Sequence, residues 1–500
     1  MSVEAFAVST GIVALGEIGD KTQLLALILA ARYRAPRPII AGIFVATLAN
    51  HAAAAALGAW LTFLVDPQWM RWGLGLSFIA VALWTPYGGL IIINQLLKKA
   101  GIADLINSHL GNRGKLAGYS YADILLSIIY SQLSNGSAIE DIHELKQKNL
   151  LDSFKICSAD TALNTIKELA ILNEAHLSQA GTICEINHNP KLNDLLLQMN
   201  LKTAMLQSGK NYCLDMDTTV AVHDKYDKKH TYNKEQGYNP LVGAVGNCPV
   251  YIEGRSGNTS PAFGLADAVK KIHEAFIKNG LTLYQLRIDA AGYQSSIIDY
   301  CMDNNIKFYI RAKQSQALDD AIADTVQWKP VAGCILKTEV AHTYLDISNK
   351  GVLHKVVVTR RVNKKAKNTL LQTIAPYTYY AIVTNDEDDT NEGIYKFYNG
   401  RGTFEQNNTS LKNEFNWSHL PCSFLHQNTA FMLIAAMGKL LFEYLKKITH
   451  QRIPTLIHHC GIELKSFINK VIAVVGKWVS SGRKKILNLY TTTNLHLLLE

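Results

Sequence analysis

Long runs of apolar residues dominate the first part of the chain. Residues 5–31 are apolar except for a polar stretch at 17–23, and residues 39–64 contain no formal charge. A third apolar run ends at Trp84. A run of roughly 20 apolar residues is long enough to cross a hydrocarbon core of about 30 Å. The pattern therefore predicts two to three transmembrane helices within residues 1–85.

A short basic loop separates the first two apolar runs. It carries three arginines close together, Arg32, Arg34 and Arg37. Basic loops beside membrane spans usually stay on the cytoplasmic side. We therefore expect residues 1–85 to tether the protein to a membrane if the spans insert. If they do not insert, we expect the protein in the cytoplasm or the nucleoid.

The hydrophobic pattern changes after about residue 85. Apolar residues then recur at intervals of three and four, which predicts helices. Further along, strand-like alternation takes turns with helical periodicity, which predicts a mixed α/β fold. The predicted regions are the membrane segment at 1–85, a helical domain that contacts DNA or acts as a scaffold at 86–210, the first part of an α/β core at 211–311, an inserted β-domain at 312–390, the last part of the core at 391–450 and a C-terminal helical region at 451–500.

Charge separates the same two parts of the chain. The net charge is +9, from 50 basic and 41 acidic residues, and residues 1–84 contain five of the basic and four of the acidic ones. The basic excess therefore lies downstream, where it suits a polyanion such as DNA but is equally compatible with a basic soluble domain. The eight cysteines form no Cys-x-x-Cys pair, so zinc-ribbon chemistry has no support.

Two acidic residues follow predicted strands, and a third lies on a predicted helix. Asp217 ends the alternating stretch 212–217, Asp289 follows the strand-like stretch 283–288, and Glu405 lies in a helical stretch downstream. Two divalent ions about 3.5–4 Å apart share carboxylates and bind phosphate oxygens, and Mg²⁺ prefers oxygen ligands. The set therefore indicates two-metal phosphoryl chemistry. Taken alone, each strand-terminal aspartate is more typical of a solvated cap or turn.

Basic and aromatic residues flank the helical glutamate at a regular spacing. Tyr398, Arg401, Glu405 and Lys412 follow the pattern Tyr-x2-Arg-x3-Glu-x6-Lys. Arg401 and Glu405 are four residues apart and share a helix face. Lys412 lies seven residues beyond Glu405 and returns to that face. Arg401 and Lys412 are therefore candidates to hold a DNA backbone beside the acids.

This spacing, downstream of two strand acids, resembles the DDE transposases of insertion sequences that carry the so-called YREK signature. The resemblance covers residues 86–500 and implies an RNase H-like catalytic core with a β-insert before the last acid. It also implies that Asp217, Asp289 and Glu405 are the catalytic residues. In such an enzyme the same three carboxylates bind two Mg²⁺ (or Mn²⁺) ions.

The first catalytic position has two candidates on the same predicted strand. Asp215 and Asp217 both belong to an Asp-x-Asp-x-Thr sequence. The resemblance favours Asp217 because Thr219 follows it at the offset that the family shows. Asp215 stays open as the rival.

The same resemblance assigns DNA partners. It implies that Tyr398, Arg401 and Lys412 contact the DNA ends. The expected activity is nicking of the element's ends by hydrolysis, followed by joining of the 3′-hydroxyls to target DNA. The implied partners are the terminal inverted repeats of the element and target DNA. Synapsis of two ends implies at least a homodimer.

A second resemblance concerns the membrane-like segment. A Glu-x-Gly-Asp-Lys-Thr motif begins at Glu17 and places Asp20 three residues later on the same helix face. Oxygen ligands so placed suit a hard divalent cation. With residues 1–85 around it, the motif resembles one half of the GDT-type cation/proton exchangers, which are linked to manganese or calcium transport and carry one motif in each half. No second copy occurs in this sequence, so we interpret Glu17 and Asp20 as a vestigial ion site.

Three functional hypotheses follow from the two resemblances. The first is a DNA transposase fused in frame to a disrupted transporter fragment. The second is a membrane exchanger of the GDT type, which the missing second motif argues against. The third is an inert relic of an insertion, which the intact set of three acids argues against. An insertion near codon 85 predicts element-type terminal repeats in the DNA around that codon.

Overall fold

The chain divides into two units, 1–83 and 84–500. The predicted ion-site residues Glu17 and Asp20, and most of the predicted membrane spans, lie outside the residues that the structure describes. Among the described residues, no helix combines the length and the apolar character needed to cross a membrane. The computed structural model describes residues 84–114, 117–147, 155–178, 181–325, 327–333, 337–347, 350–362, 377–457, 461–481 and 484–500, with isolated positions between 48 and 72.

Helices dominate the start of the second unit, and local sequence explains where they begin. Ser120 and Asp123 form a capping box at the start of the third helix. Asn189 caps the helix whose first residue is Pro190. The elements are β1 (Trp84–Thr85), α1 (Gly88–Lys99), α2 (Ile102–Leu110), α3 (Tyr121–Leu133), α4 (Ile142–Gln147), α5 (Ala159–Leu169), β2 (Glu174–Leu177), β3 (Ile183–Asn187) and α6 (Pro190–Lys202).

Strands and helices then alternate, which confirms the predicted mixed α/β class. The elements are β4 (Asn211–Thr218), β5 (Ala221–Val222), β6 (Lys229–His230), β7 (Gln236–Tyr238), β8 (Leu241–Val245), β9 (Cys248–Arg255), α7 (Leu265–Lys278), β10 (Thr282–Ile288), α8 (Ser295–Asp303) and β11 (Lys307–Arg311).

Five of these strands form the centre of one sheet in the order β9-β8-β4-β10-β11. The first three pair antiparallel, whereas β4, β10 and β11 are parallel neighbours. Parallel neighbours need crossover connections, and α7 and α8 supply them. Leu214 and Met216 on β4, and Leu286 and Ile288 on β10, belong to one buried apolar cluster. The alternate residues of both strands therefore lie on the opposite face, where the polar chemistry is found.

The remaining elements complete the sheet and cover it. They are α9 (Gln316–Ala323), β12 (Lys329–Pro330), β13 (Thr338–Asp346), β14 (Leu353–Val362), β15 (Tyr377–Thr384), α10 (Asn391–Asn399), α11 (Gly402–Asn413), α12 (Leu425–Arg452), α13 (Leu464–Phe467), β16 (Gly476–Ser481) and β17 (Lys484–Leu489).

The stretch predicted as an inserted β-domain contains four strands that extend the central sheet. β15 pairs antiparallel with β11, and β14, β13 and β12 follow in order. Val356, Val358 and Val383 join the apolar cluster that contains Phe308 and Ile310. An unpaired β11 would leave a row of open backbone groups at a sheet edge, and β15 covers that row.

One prediction for the C-terminal part needs correction. The predicted helical region at 451–500 contains the hairpin β16–β17, and β16 also pairs with β1. The preceding helix α12 is buried on nearly all sides because it packs against both β9 and the helices α3, α5 and α6. The packing on β9 is close, since a Cβ at Gly254 would lie 1.9 Å from the Thr429 hydroxyl oxygen.

Candidate active site

Two predicted acids lie at the carboxyl ends of neighbouring parallel strands. Asp217 is the penultimate residue of β4, and Asp289 directly follows β10. Met216 and Ile288 are register partners, so the next residue of each strand lies at the same edge of the sheet. The Asp289 carboxylate accepts a hydrogen bond from the Ala291 amide at 2.8 Å, which fixes the turn after the strand. Both aspartates line one cleft of about 530 Å³.

The third predicted acid reaches the same cleft from a helix. Glu405 lies in the first turn of α11, lines the cleft and has a side chain that is 69% exposed. The predicted Tyr-Arg-Glu-Lys pattern is divided between two helices, because Tyr398 belongs to α10 and a new helix begins at Gly402. Arg401 lies at the junction between the two helices.

Arg401 bridges two of the three acids. Its guanidinium lies 2.5 Å from the Asp217 carboxylate and 3.6 Å from the Glu405 carboxylate. The Arg401 side chain is 13% exposed. The residue that we predicted as a DNA contact is therefore engaged with the acids themselves. Its guanidinium supplies positive charge that offsets part of the negative charge of the carboxylates.

The three carboxylates influence one another electrostatically. Burial raises the pKa of Asp217 to about 6, with Arg401 opposing the rise and the charges of Asp289 and Glu405 adding to it. Such a cluster of carboxylates suits a hard divalent cation. In the part of the chain that the structure describes, no three His, Cys, Asp or Glu side chains come together closely enough to hold one ion. The donor chemistry thus fits a metal site, while Arg401 occupies the space between two of the donors.

Tyr398 and Lys412 differ in their relation to the cleft. Tyr398 lines it and donates a hydrogen bond to the Ile288 carbonyl at 3.3 Å. Burial raises the pKa of Tyr398 to about 12. Lys412 is not among the described residues that line the cleft, and it lies seven residues beyond Glu405 on α11. Tyr398 therefore ties α10 to the end of β10, and Lys412 lies about 10 Å further along α11 at 1.5 Å per residue.

The rival first acid has a different environment. Asp215 is 2% exposed, and both of its carboxylate oxygens accept hydrogen bonds from Arg287 at 2.7 Å. Burial raises the pKa of Asp215, while the Arg287 contacts oppose that rise. Asp215 is not among the described residues that line the cleft. Of the two candidates, it is Asp217 that faces the open space.

Residues 84–498 match the family model described as transposase DDE domain group 1. The chain belongs to this DDE transposase family. Residues 5–91 match the model of the divalent cation/proton antiporter GDT1, so the two-part resemblance is confirmed. The two matches overlap at residues 84–91.

One curated relative matches the first part of this DDE transposase chain. It is a protein of Vibrio cholerae described as "Putative manganese exporter", 57% identical over 84 residues, which are 17% of this chain and 41% of that protein. The chain therefore spans about two fifths of the length of that relative.

Two solved transposases resemble the chain weakly. One is the piggyBac transposase in a synaptic complex with hairpin DNA, with a TM-score of 0.33, 12% identity and coverage of 77% of this chain and 85% of that one. The other is the Drosophila P element transposase in a strand transfer complex, with a TM-score of 0.21, 14% identity and coverage of 42% and 41%.

The cleft of this DDE transposase has a basic and aromatic wall that sequence analysis missed. Arg311 from β11, Arg361 from β14 and Tyr380 from β15 line it. The two guanidiniums lie 4.8 and 5.9 Å from the centre of the Tyr380 ring. Tyr232, from the loop between β6 and β7, also lines the cleft and is 60% exposed. The available signal was a pair of arginines at the end of a Val-rich strand, which the sequence alone does not place beside the acids.

Proposed function

We propose that this DDE transposase cuts the ends of a mobile DNA element by hydrolysis and joins the freed 3′-hydroxyls to target DNA. Asp217, Asp289 and Glu405 would hold two Mg²⁺ (or Mn²⁺) ions. The observation that carries the proposal is that two strand-end aspartates and one helix glutamate line a single open cleft. Oxygen donors of this kind are what two-metal phosphoryl transfer requires.

The proposal includes the nature of the catalytic core. We assign β9, β8, β4, β10 and β11, with the crossover helices α7 and α8, to the RNase H-like core that the resemblance implies. Support comes from the strand order and from the position of both aspartates at the carboxyl ends of the parallel strands. Crevices beside the carboxyl ends of parallel strands are a common location for binding sites in α/β proteins.

The residues of the cleft divide the work of the reaction. When bound, the ions would activate a water or hydroxyl and neutralise charge on the scissile phosphate. Asp217 would bind an ion as the carboxylate, in place of its contact with Arg401. The freed Arg401 guanidinium is then available to a phosphate oxygen, which it can bind with two parallel hydrogen bonds. Arg401 would thus contact the carboxylates before the ions bind and a DNA phosphate afterwards.

The basic wall suits the DNA backbone. Arg311 and Arg361 face the same cleft as the acids, and most contacts that position DNA go to its phosphates. We assign the same role to Tyr398 at the cleft and to Lys412 further along α11. The proposed partners are the terminal inverted repeats and target DNA, held by at least two copies of the chain in a synaptic complex.

The direct test is cleavage of the element's end DNA by the full chain, purified in detergent, with and without Mg²⁺. The variants Asp217→Asn, Asp289→Asn and Glu405→Gln remove one carboxylate charge each. We expect each to lose cleavage while keeping its fold, measured by thermal melting. The matched control is Glu274→Gln, an exposed glutamate of α7 away from the cleft. Full activity in any one of the three variants would remove that residue from the proposed set.

The transporter-like segment has a proposal of its own. The match of residues 5–91 to the antiporter family favours a membrane tether. We propose that this segment by itself does not transport manganese. The chain carries one Glu-x-Gly-Asp motif, which contains Glu17 and Asp20, and no second copy of it. Expression in a cell that lacks its manganese exporter tests this, with fractionation to locate the chain. Restored manganese tolerance would contradict the proposal, and recovery in the soluble fraction would contradict the tether.

A further inference from the structure

A buried ion pair lies beneath the candidate active site and has no part in the proposed chemistry. Asp215 on β4 and Arg287 on β10 are register partners on neighbouring parallel strands. Arg287 donates from Nε and Nη2 to the two carboxylate oxygens of Asp215, each at 2.7 Å. The side chains are 3% and 13% exposed. The pair therefore joins the two strands that end in the first and second acids.

The same arginine also contacts the helix before the third acid. Its Nη1 donates to the Phe397 carbonyl at 2.7 Å, and its guanidinium carbon lies 4.7 Å from the centre of the Phe397 ring. Phe397 lies in the last turn of α10, and its carbonyl also accepts a hydrogen bond from the Gly400 amide at 3.2 Å. A cation at the C-terminal end of a helix also interacts favourably with the helix dipole. Arg287 therefore holds the end of α10 against β10.

The chain leaves little room at this contact. A Cβ at Gly400 would lie 2.8 Å from Nη1 of Arg287, so the backbone after α10 passes directly beside the guanidinium. Arg401 follows at once, and Glu405 lies four residues further on. The position of Arg287 thus limits where the junction between α10 and α11 can lie.

We infer that Asp215 and Arg287 form a positioning bridge that sets the third acid in place relative to the two strand acids. Asp215 lies two residues before Asp217, and Arg287 lies two residues before Asp289. One guanidinium is thereby connected to all three segments that carry the acids. The inference rests on the proposed function, because it assigns the bridge to the geometry of that catalytic set.

The shape of the arginine is essential to this role. A guanidinium presents several donors in a fixed planar fork, so it can bind a carboxylate through two donors and still donate to a carbonyl. A lysine ammonium at the same position keeps the charge but does not reproduce that fork. Arg287→Lys therefore tests positioning with little change in electrostatics.

The experiment uses the full chain in detergent and three measurements on Arg287→Lys. Hydrogen exchange of backbone amides at 397–406, without metal or DNA, should be faster than in wild type. The rate constant for end cleavage should fall by roughly 10²-fold, the effect of a misplacement of about 1 Å. Affinity for end DNA without metal should change less than about twofold, because the bridge does not face the cleft. A milder form of the same pattern is expected from Gly400→Ala, which keeps both residues of the buried pair but places a Cβ against Nη1 of Arg287.

The matched control is Arg360→Lys. Arg360 pairs with Glu339, its register partner on a neighbouring strand, at 2.6 Å, and its guanidinium packs on Trp328 and Tyr377. It is thus a cross-strand ion pair of the same sheet that is built on other partners. We expect wild-type exchange at 397–406 in this control.

Distinct outcomes separate the bridge from the proposed function. If wild type fails to cleave end DNA with Mg²⁺, the proposed function fails, whereas the exchange measurement still decides the bridge. Unchanged exchange at 397–406 in both Arg287→Lys and Gly400→Ala would overturn the bridge. So would a loss of cleavage that is matched by an equal loss of DNA affinity, or equal exchange in Arg287→Lys and Arg360→Lys.

Discussion

Two aspartates of β4, two residues apart on one face of the strand, show how differently the inner and outer parts of the same strand are used. Asp215 lies in the inner part and gives both oxygens to Arg287. Asp217 lies at the outer end, contacts Arg401 through one oxygen and accepts from the Thr218 amide through the other. Two residues along a strand span only about 6.6 Å. Within this distance, β4 contributes to one ion pair enclosed in the sheet and to another that faces the cleft.

The difference lies in what surrounds each pair. Asp215 and Arg287 are enclosed and neutralise each other within the sheet. Asp217 and Arg401 face the cleft, with Asp289 and Glu405 as further negative charges nearby. Around Asp217 there is more negative charge than one arginine can balance, so an additional cation is favoured there. Similar Asp–Arg pairs can therefore stabilise the fold in one place and, in the proposed mechanism, take part in catalysis in another.

The sharpest test of the comparison removes the charge of each aspartate in turn. Asp217→Asn should lower the rate of end cleavage by at least about 10³-fold, which corresponds to roughly 4 kcal/mol of transition-state stabilisation. Asp215→Asn should lower it less, because the Asp215 side chain does not reach the cleft. Single-turnover cleavage at saturating Mg²⁺ measures both. Equal losses would break the distinction between the two aspartates.

Stability should show the opposite ranking. Asp215→Ala leaves the Arg287 guanidinium buried without its carboxylate and should cost about 3–5 kcal/mol of unfolding free energy. Asp217→Ala should cost less, because Arg401 keeps Glu405 as a partner at 3.6 Å. Urea unfolding of the metal-free protein measures both changes. A larger loss for Asp217→Ala would contradict the structural role of the inner pair.

The Mg²⁺ requirement for cleavage should depend on pH through Asp217. The pKa of Asp217 is raised to about 6, chiefly by burial. A proton and a metal ion compete for this carboxylate, so the ion has the advantage above pH 6 and loses it below. The Mg²⁺ concentration for half-maximal cleavage should therefore rise as the pH falls through 6, by up to about tenfold per pH unit. A flat dependence between pH 7.5 and 5.5 would argue against Asp217 as a ligand.

The smallest expected effect concerns the arginine of the open pair. Arg401→Gln removes the charge that competes with a metal ion for Asp217, so Mn²⁺ should bind the DNA-free protein a few-fold more tightly, a gain of about 1 kcal/mol. The same variant should cleave more slowly, because a phosphate contact is lost. Calorimetric titration with Mn²⁺ measures the first effect. Weaker Mn²⁺ binding would show that Arg401 supports the metal site instead of competing for it.

Sequence periodicity predicted many elements well. Asp289 directly follows a strand and Glu405 lies on a helix, both as predicted. These elements are long or strongly alternating, so local pattern was sufficient. The break after Tyr398 was missed, although Gly400 and Gly402 mark it in the sequence.

Contacts between residues that are far apart in the chain could not be predicted from the sequence. Arg401 and Asp217 are 184 residues apart, and no local pattern indicates that they meet. The wall that contains Arg311 and Arg361 depends on the pairing of β15 with β11. The sequence pattern did not indicate this pairing. The hairpin β16–β17 within the predicted C-terminal helical region was missed because a two-stranded hairpin of mixed polar and apolar residues gives a weak periodic signal.

The short strand β1 has a consequence for the history of the chain. Trp84 and Thr85 pair with β16, and the Trp84 ring stacks on Tyr490 at 5.0 Å. These residues lie within the overlap of the two family matches, at 84–91. The fusion point is therefore itself a folded element that fastens the beginning of the catalytic unit to its end. A protease that cut before Trp84 would release the enzyme with this fastening intact, whereas a cut a few residues later would remove it.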